Sequence, residues 1–396
     1  MITIKSLIPK SLYSKIRKFL RGFKRGNYLF FFMFLPINPR KVVFSSYYGK
    51  PYGDNGKYII EELNRNENNY DIVWLLKKEF IGKVNFPKNV RIVEYGSFKG
   101  FIELATAKVW VDNCRKMFCP PKRKKQFYIQ TWHGSIPLKK IERDAENALS
   151  PGYVDSAKHD SKIADLFLSN SKFCTEIYRK SFWYDGKILE VGSPRCDVFF
   201  EDNNSANLKV RNLYGIPKES KIVIYAPTFR ADGTLDAYNI DFNILVKVLE
   251  AKFGGKWSVL VRLHPNISSQ ASSIQYNENV INATHYDDMY DLLSVSDILI
   301  TDYSSTMFEF SLNYKPVFLY CSDIDDYKRD RDFYFDFEKL PYKIAEDNKQ
   351  LMQVIQDFDS DEYKNTLYTF YKELGVHESG KASSEVVKII NKVTRR

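Results

Sequence analysis

Long apolar runs are what this 396-residue chain lacks. The apolar stretch near its start, Tyr28 to Pro36, is far shorter than the roughly 20 residues a spanning helix needs, so it does not cross a bilayer. No small-residue cleavage site follows it; Pro36-Ile37-Asn38-Pro39-Arg40 leads straight into a strand, which sets a signal peptide aside. Cysteines are few, scattered and odd in number: Cys114, Cys119, Cys174, Cys196 and Cys321. Their spacing fits neither a zinc knuckle nor a thioredoxin-type pair, and a reducing, cytosolic compartment suits them. The histidines stand in other segments, so no metal is assigned. No RNA-recognition, zinc-finger or helix-turn-helix signature is interleaved with the lysines, so nucleic acid is not the expected partner. Internal repeats and low-complexity tracts are also missing.

Cations are in excess, with a formal net charge of +10, which points to an anionic partner without naming it. Lys5, Lys10, Lys15, Arg17, Lys18, Arg21, Lys24 and Arg25 are interleaved with Leu7, Leu12, Ile16, Phe19, Leu20 and Phe23 at helical spacing. Residues 1–40 are therefore read as a basic amphipathic segment lying on an anionic membrane surface; a helix packed on its own protein is the alternative.

From Lys41 onward short apolar strands alternate with amphipathic helices, which is α/β patterning. Strands are expected at Val42–Ser45, Asp71–Leu76, Arg91–Val93, Lys108–Asp112, Phe127–Thr131, Leu166–Ser169 and Ile188–Val191, with helices around Lys57–Asn64, Ser97–Ala107 and Ser171–Phe182. The polar stretch Glu201–Ser205 reads as a linker, and a second series of strands and helices runs from Lys221 to about Ile344. The expected division is a first Rossmann-like domain over 41–205, a second over 206–380, and a helix over 381–396 that docks back on the first.

Four strands end in polar turns: Phe127–Thr131 in Trp132-His133-Gly134-Ser135, Ile222–Ala226 in Pro227-Thr228-Phe229-Arg230, Ser258–Leu263 in His264-Pro265, and Asp297–Thr301 in Asp302-Tyr303-Ser304-Ser305. Tips at the carboxyl ends of parallel strands converge on one crevice. His133 is the candidate base, since an imidazole titrates near neutrality and Gly134 admits a close approach; a ring packed under Trp132 is the alternative. Ser304, Ser305 and Thr306 open a helix and present amides and hydroxyls to an anion, although serine and threonine are also ordinary N-caps.

Two such domains facing a central cleft make the GT-B architecture, and the motifs carry the resemblance further. Gln130-Thr131-Trp132-His133-Gly134-Ser135 with Pro137-Leu138-Lys139-Lys140, Tyr225-Ala226-Pro227-Thr228-Phe229-Arg230, Arg262-Leu263-His264-Pro265, Thr301-Asp302-Tyr303-Ser304-Ser305, Asp325-Asp326-Tyr327, Phe333-Tyr334-Phe335-Asp336 and Gly380-Lys381-Ala382-Ser383 occur in that order. In these the chain resembles the CDP-glycerol glycerophosphotransferases of teichoic acid and capsule synthesis, from Val42 to the C-terminus. Ser135 stands where threonine is common and Glu309 where aspartate is common. A long N-terminal extension seen in some polymerases of that family is lacking, which leaves a single transfer as open as processive polymerisation.

The resemblance implies attack of an acceptor hydroxyl on the β-phosphorus of a CDP-alditol, with release of CMP. It assigns catalysis to His133 and His264. Donor binding falls to Thr228, Arg230, Arg262, Asp302, Ser304, Ser305, Thr306 and Glu309, the last through ribose hydroxyls or else as a solvated surface acid. Acceptor binding falls to Gly134, Ser135, Lys139 and Lys140, with Arg143 beside them. The acceptor is expected to be a lipid-linked saccharide or polyol phosphate at the cytoplasmic face of the cell membrane. Asp323-Ile324-Asp325 and Asp330-Arg331-Asp332 mimic a metal-binding Asp-x-Asp but are read as coincidence in an acid-rich loop, so no cofactor is expected. A nucleotide-sugar glycosyltransferase and a non-catalytic membrane scaffold are the competing readings.

Overall fold

The computed structural model describes residues 32–395 apart from 66–68, 231–238, 265–266, 269–270, 273, 326 and 328–331. The expected amphipathic helix lies, through residue 31, outside the described residues, as do Pro265, Asp330 and Arg331.

The front half is one seven-stranded sheet made of β1 (Asn38–Ser45), β2 (Asp71–Leu76), β3 (Val90–Glu94), β4 (Ala107–Asp112), β5 (Phe127–Gln130), β6 (Leu166–Ser169) and β7 (Lys187–Glu190). All neighbours pair in parallel, in the order β3-β2-β1-β4-β5-β6-β7. Strands covered on both faces read as continuous apolar runs, which is why Ile72-Val73-Trp74-Leu75-Leu76 is buried throughout. The rear half repeats the plan with β8 (Lys221–Tyr225), β9 (Trp257–Val261), β10 (Val280–Asn282), β11 (Ile298–Thr301), β12 (Val317–Tyr320) and β13 (Lys343–Ala345). Its order is β10-β9-β8-β11-β12-β13.

The strand order reverses between β1 and β4 in front and between β8 and β11 behind, and such switch points are where open α/β sheets form crevices. The tips of β1, β4 and the adjacent β5 carry Tyr47, Asn113 and His133; those of β8 and β11 carry Thr228 and Asp302. The halves are not separate bodies in their packing, because Trp132, Ile136 and Leu138 share one buried cluster with Ile222, Val223 and Leu299.

The last helix, Ala382–Thr394, lays Val386, Val387 and Ile390 against Val42, Phe44 and Ile59 of the front half. Asp197 anchors its start by accepting from the amides of Ala382 and Ser383 at 2.9 and 2.7 Å, an anion at a helix N-terminus. Helices Pro151–Ile163, Asn348–Gln356 and Ser360–Leu374 go beyond the sequence reading, although Tyr363, Leu367 and Tyr371 are buried at helical spacing. The polar stretch read as a linker already turns helical at Asn204. Among the described residues, no helix is long and apolar enough to cross a membrane.

Candidate active site between the two halves

β5 stops at Gln130, whose side-chain oxygen takes the Trp132 amide at 2.9 Å while Asn55 Nδ2 donates to the Trp132 carbonyl at 2.9 Å. These bonds hold Trp132 at φ 56°, a left-handed conformation that a bulky residue adopts only when its surroundings impose it. The turn delivers His133 with its ring 4.2 Å from that of Trp132 and 5.4 Å from that of Tyr47. Nδ1 of His133 lies 2.7 Å from the Asn113 carbonyl oxygen. A carbonyl only accepts, so Nδ1 carries the proton and Nε2 keeps its lone pair. Burial pushes the imidazole below its ordinary pKa; the Asn113 carbonyl and the Asp54 carboxylate oppose that, and the Arg195 charge adds to it. The result is a half-buried, neutral, oriented base. A Cβ on Gly134 would meet only the Trp132 ring, at 3.9 Å, so that side of the turn is open. Ser135, by contrast, is buried, and its hydroxyl has no partner among the described residues.

Left-handed backbone recurs around this turn at Tyr47, Tyr48, Asp54 and Glu142. Such strain concentrates at functional sites. The loop that holds Tyr47, Tyr48 and Asp54 lies between the expected strand Val42–Ser45 and the expected helix around Lys57–Asn64, and its visible signal was Tyr47-Tyr48-Gly49 followed by Gly53-Asp54-Asn55. Lys50, in the same loop, was also missed, and its charge reaches His264 across the gap.

On the rear side, Ser304, Ser305 and Thr306 begin the helix Thr306–Phe310, which a turn over Ser311–Asn313 extends. Ser304 Oγ donates to Thr306 Oγ1 at 2.9 Å, and the three residues are half-buried. His264 keeps part of its surface in solvent, its ring 5.9 Å from that of Phe229; the protein around the rest of the ring desolvates it and lowers its pKa, and Lys139 and Lys50 lower it further.

The other expected donor ligands are held by protein partners. Arg230 is 6% exposed and gripped by Asp323 at 2.6 Å and Asp302 at 2.8 Å, with the rings of Tyr303 and Tyr327 about its guanidinium. The first acid of the Asp-x-Asp look-alike is thus occupied by an arginine. Asp302 also accepts the Thr228 amide at 2.8 Å, tying the β8 and β11 tips together. Arg262 donates through Nη1 to the carbonyls of Ala283 and Tyr286 at 3.2 and 2.6 Å. Glu309 is not a solvated acid. At 1% exposure it is bound by Arg195 Nη2 at 2.6 Å and by the Tyr290 hydroxyl, because its helix packs against the front half there.

The segment 137–140 crosses from one half to the other. The Leu138 amide donates to Ser305 Oγ at 3.4 Å, Tyr334 N donates to the Leu138 carbonyl at 2.9 Å, Lys140 N donates to the Asp332 carbonyl at 2.9 Å, and Lys139 forms an antiparallel bridge with Phe333. Lys139 Nζ donates to the Tyr327 hydroxyl at 2.5 Å, and Lys140 pairs with Asp332 at 3.3 Å. Both lysines therefore serve the junction rather than standing free on an acceptor surface. The same staple ties the segment following the His133 turn to Ser305.

A family model described as CDP-Glycerol:Poly(glycerophosphate) glycerophosphotransferase matches residues 27–392. The chain belongs to this glycerophosphotransferase family. It is 30% identical to a teichoic acid poly(glycerol phosphate) polymerase of Bacillus subtilis (strain 168), over 97% of its own length but 54% of that protein, so it spans about half of that relative. It is 31% identical to the teichoic acid glycerol-phosphate transferase of Staphylococcus aureus (strain NCTC 8325 / PS 47), over 98% of its length and 99% of the relative. The solved wall teichoic acid polymerase TagF superposes with a TM-score of 0.83 at 28% identity, over 100% of this chain and 99% of that one. A histidine variant of TagF soaked with CDPG gives 0.81, also at 28% identity over 100% of this chain and 99% of that one. The family assignment agrees with the resemblance carried by the strand-tip motifs.

Proposed function

We propose that this chain transfers glycerol phosphate from CDP-glycerol to a hydroxyl of a lipid-linked cell-envelope glycan or teichoic polymer, releasing CMP. The observation that supports the reading is the contact of Leu138 with Ser305, which ties the segment after the His133 turn to the hydroxyl-lined helix start. Family membership and the TagF form soaked with CDPG support the choice of donor.

In this reading Nε2 of His133 takes the proton of the acceptor hydroxyl as its oxygen attacks the β-phosphorus. CMP departs as an already good leaving group and needs no strong acid. Ser304, Ser305 and Thr306 hold the diphosphate through hydroxyls and amides, and His264, Lys139 and Lys50 supply positive potential. Desolvation lowers the His264 pKa first and Lys139 and Lys50 lower it further; the cationic part is what an entering diphosphate would relieve. Thr228, Arg230, Asp302 and Arg262 act at one remove, by fixing the β8, β9 and β11 tips. Gly134 leaves room for the acceptor; Ser135, Lys139 and Lys140 shape its side of the gap. Residues 1–40 attach the enzyme peripherally to the cytoplasmic face of an anionic membrane, where lipid-linked acceptors reside.

The direct test is CMP release from CDP-glycerol with and without a lipid-linked acceptor; turnover of a nucleotide sugar in its place would refute the reading. Since the base must be neutral and its pKa is lowered, kcat/KM should be full at pH 7 and fall only as pH drops below about 6.5, the ordinary histidine value. An acid limb centred above pH 7 would contradict the assignment.

A further inference from the structure

Arg195 follows β7, belongs by sequence to the front half, and is 4% exposed. Its guanidinium serves both halves at once: Nη1 reaches Asp54 Oδ2 at 2.5 Å and Nη2 reaches Glu309 Oε1 at 2.6 Å. Each carboxylate is also held elsewhere, Asp54 by the Tyr47 hydroxyl at 2.9 Å and by the Asn55 amide at 2.7 Å, and Glu309 by the Tyr290 hydroxyl. A line of contacts therefore runs from the exposed Tyr47 through the buried Asp54, Arg195, Glu309 and Tyr290, from one half into the other.

Both ends of the line reach the candidate site. In front, the Arg195 amide donates to Asn55 Oδ1 at 3.1 Å, and Asn55 Nδ2 holds the carbonyl of Trp132, the residue before His133. Behind, Glu309 lies one helical turn beyond Ser305.

Two features argue that the bridge sets register rather than merely filling space. Burying three ionised groups costs desolvation that apolar packing would avoid, so such a cluster is weak evidence for stability and better evidence for a fixed geometry. Asp54 moreover holds its carboxylate in place from a left-handed backbone, φ 57°, which is unfavourable for it. The planar guanidinium fork reaches two carboxylates along separate, fixed directions; a lysine ammonium must gather its carboxylates around one atom, as Lys57 does with Asp288 and Asp291, and so fixes their relative placement less.

We infer that Arg195 is a positioning residue that locks the His133 turn in register with the Ser304–Thr306 helix start, and so fixes the span across which the phosphoryl group moves. The kinetic half of this inference rests on the glycerophosphotransferase reading; the structural half does not.

The test uses the full chain with Arg195→Lys and Glu309→Gln. For Arg195→Lys, kcat for CMP release from CDP-glycerol should fall about 100-fold, the scale of a 1 Å misplacement, with KM for the donor changed less than about threefold. Glu309→Gln keeps an acceptor for Arg195 and should lose about tenfold in kcat. Hydrogen exchange without substrate supplies the second readout: Glu309→Gln, made in the rear half, should speed exchange over 131–138 in the front half and leave β1 unchanged. If Arg195→Lys fails to fold, Glu309→Gln carries both measurements. Wild-type kcat in the folded variants, or faster exchange confined to the rear half, overturns the inference. If the unaltered enzyme releases no CMP, the functional reading fails while exchange still decides whether the bridge couples the halves.

Discussion

His133→Ala should lower CMP release by about 10² to 10⁴-fold while donor affinity stays near that of the unaltered enzyme, the range expected on removing a general base. The Asn113 carbonyl fixes the proton on Nδ1, the Trp132 ring lies 4.2 Å from the imidazole, and burial keeps the group neutral. None of these contacts holds the rear half, where the donor is proposed to sit, so the loss should appear in kcat rather than in KM. Single-turnover CMP release with titration calorimetry for donor binding separates the two. Full activity of the variant would remove His133 from its assigned role.

Arg115→Met should destabilise the fold by about 3–5 kcal/mol, because breaking a buried ion pair leaves its partners charged and unpaired. Arg115 is 1% exposed and lies 2.8 Å from Glu142, 3.2 Å from Asp160 and 2.9 Å from the Ser161 hydroxyl. Both carboxylates are buried, so neither can recover solvation without opening the structure. The guanidinium also lies 4.7 Å from the Phe182 ring and 5.4 Å from the Trp132 ring, which links this cluster to the His133 turn. Methionine fills comparable space, so the loss reports charge rather than a cavity. Urea unfolding at neutral pH measures it, and a loss under about 1 kcal/mol, typical of an exposed pair, would contradict the account. Replacing Glu142 by Gln and Asp160 by Asn in the same protein should restore part of the stability, since the stranded charges are then gone.

The strands were legible because parallel strands buried on both faces announce themselves as apolar runs, as in Val42-Val43-Phe44 and Ile72–Leu76. Their polar tips were legible for the same reason, as abrupt ends to those runs. What the tips do was less readable, because it depends on partners far along the chain. Arg230 looks like a phosphate ligand until Asp323 appears beside it, and Glu309 looks like a surface acid until Arg195, 114 residues earlier, occupies it. Lys139 and Lys140 read as free cations until the segment 332–334 pairs with them. The strained turn at Tyr47, Tyr48 and Asp54 was harder still, since non-glycine residues give no local sign of left-handed backbone.

A crystal structure with CDP-glycerol bound, without acceptor, tests the central claim most directly. The account places the diphosphate against Ser304, Ser305 and Thr306 with its β-phosphorus turned toward His133, leaving room for an attacking hydroxyl within about 2.6–3.2 Å of Nε2 or one water away. A diphosphate seated on an outer face of either half, or screened from His133 by protein, would contradict it.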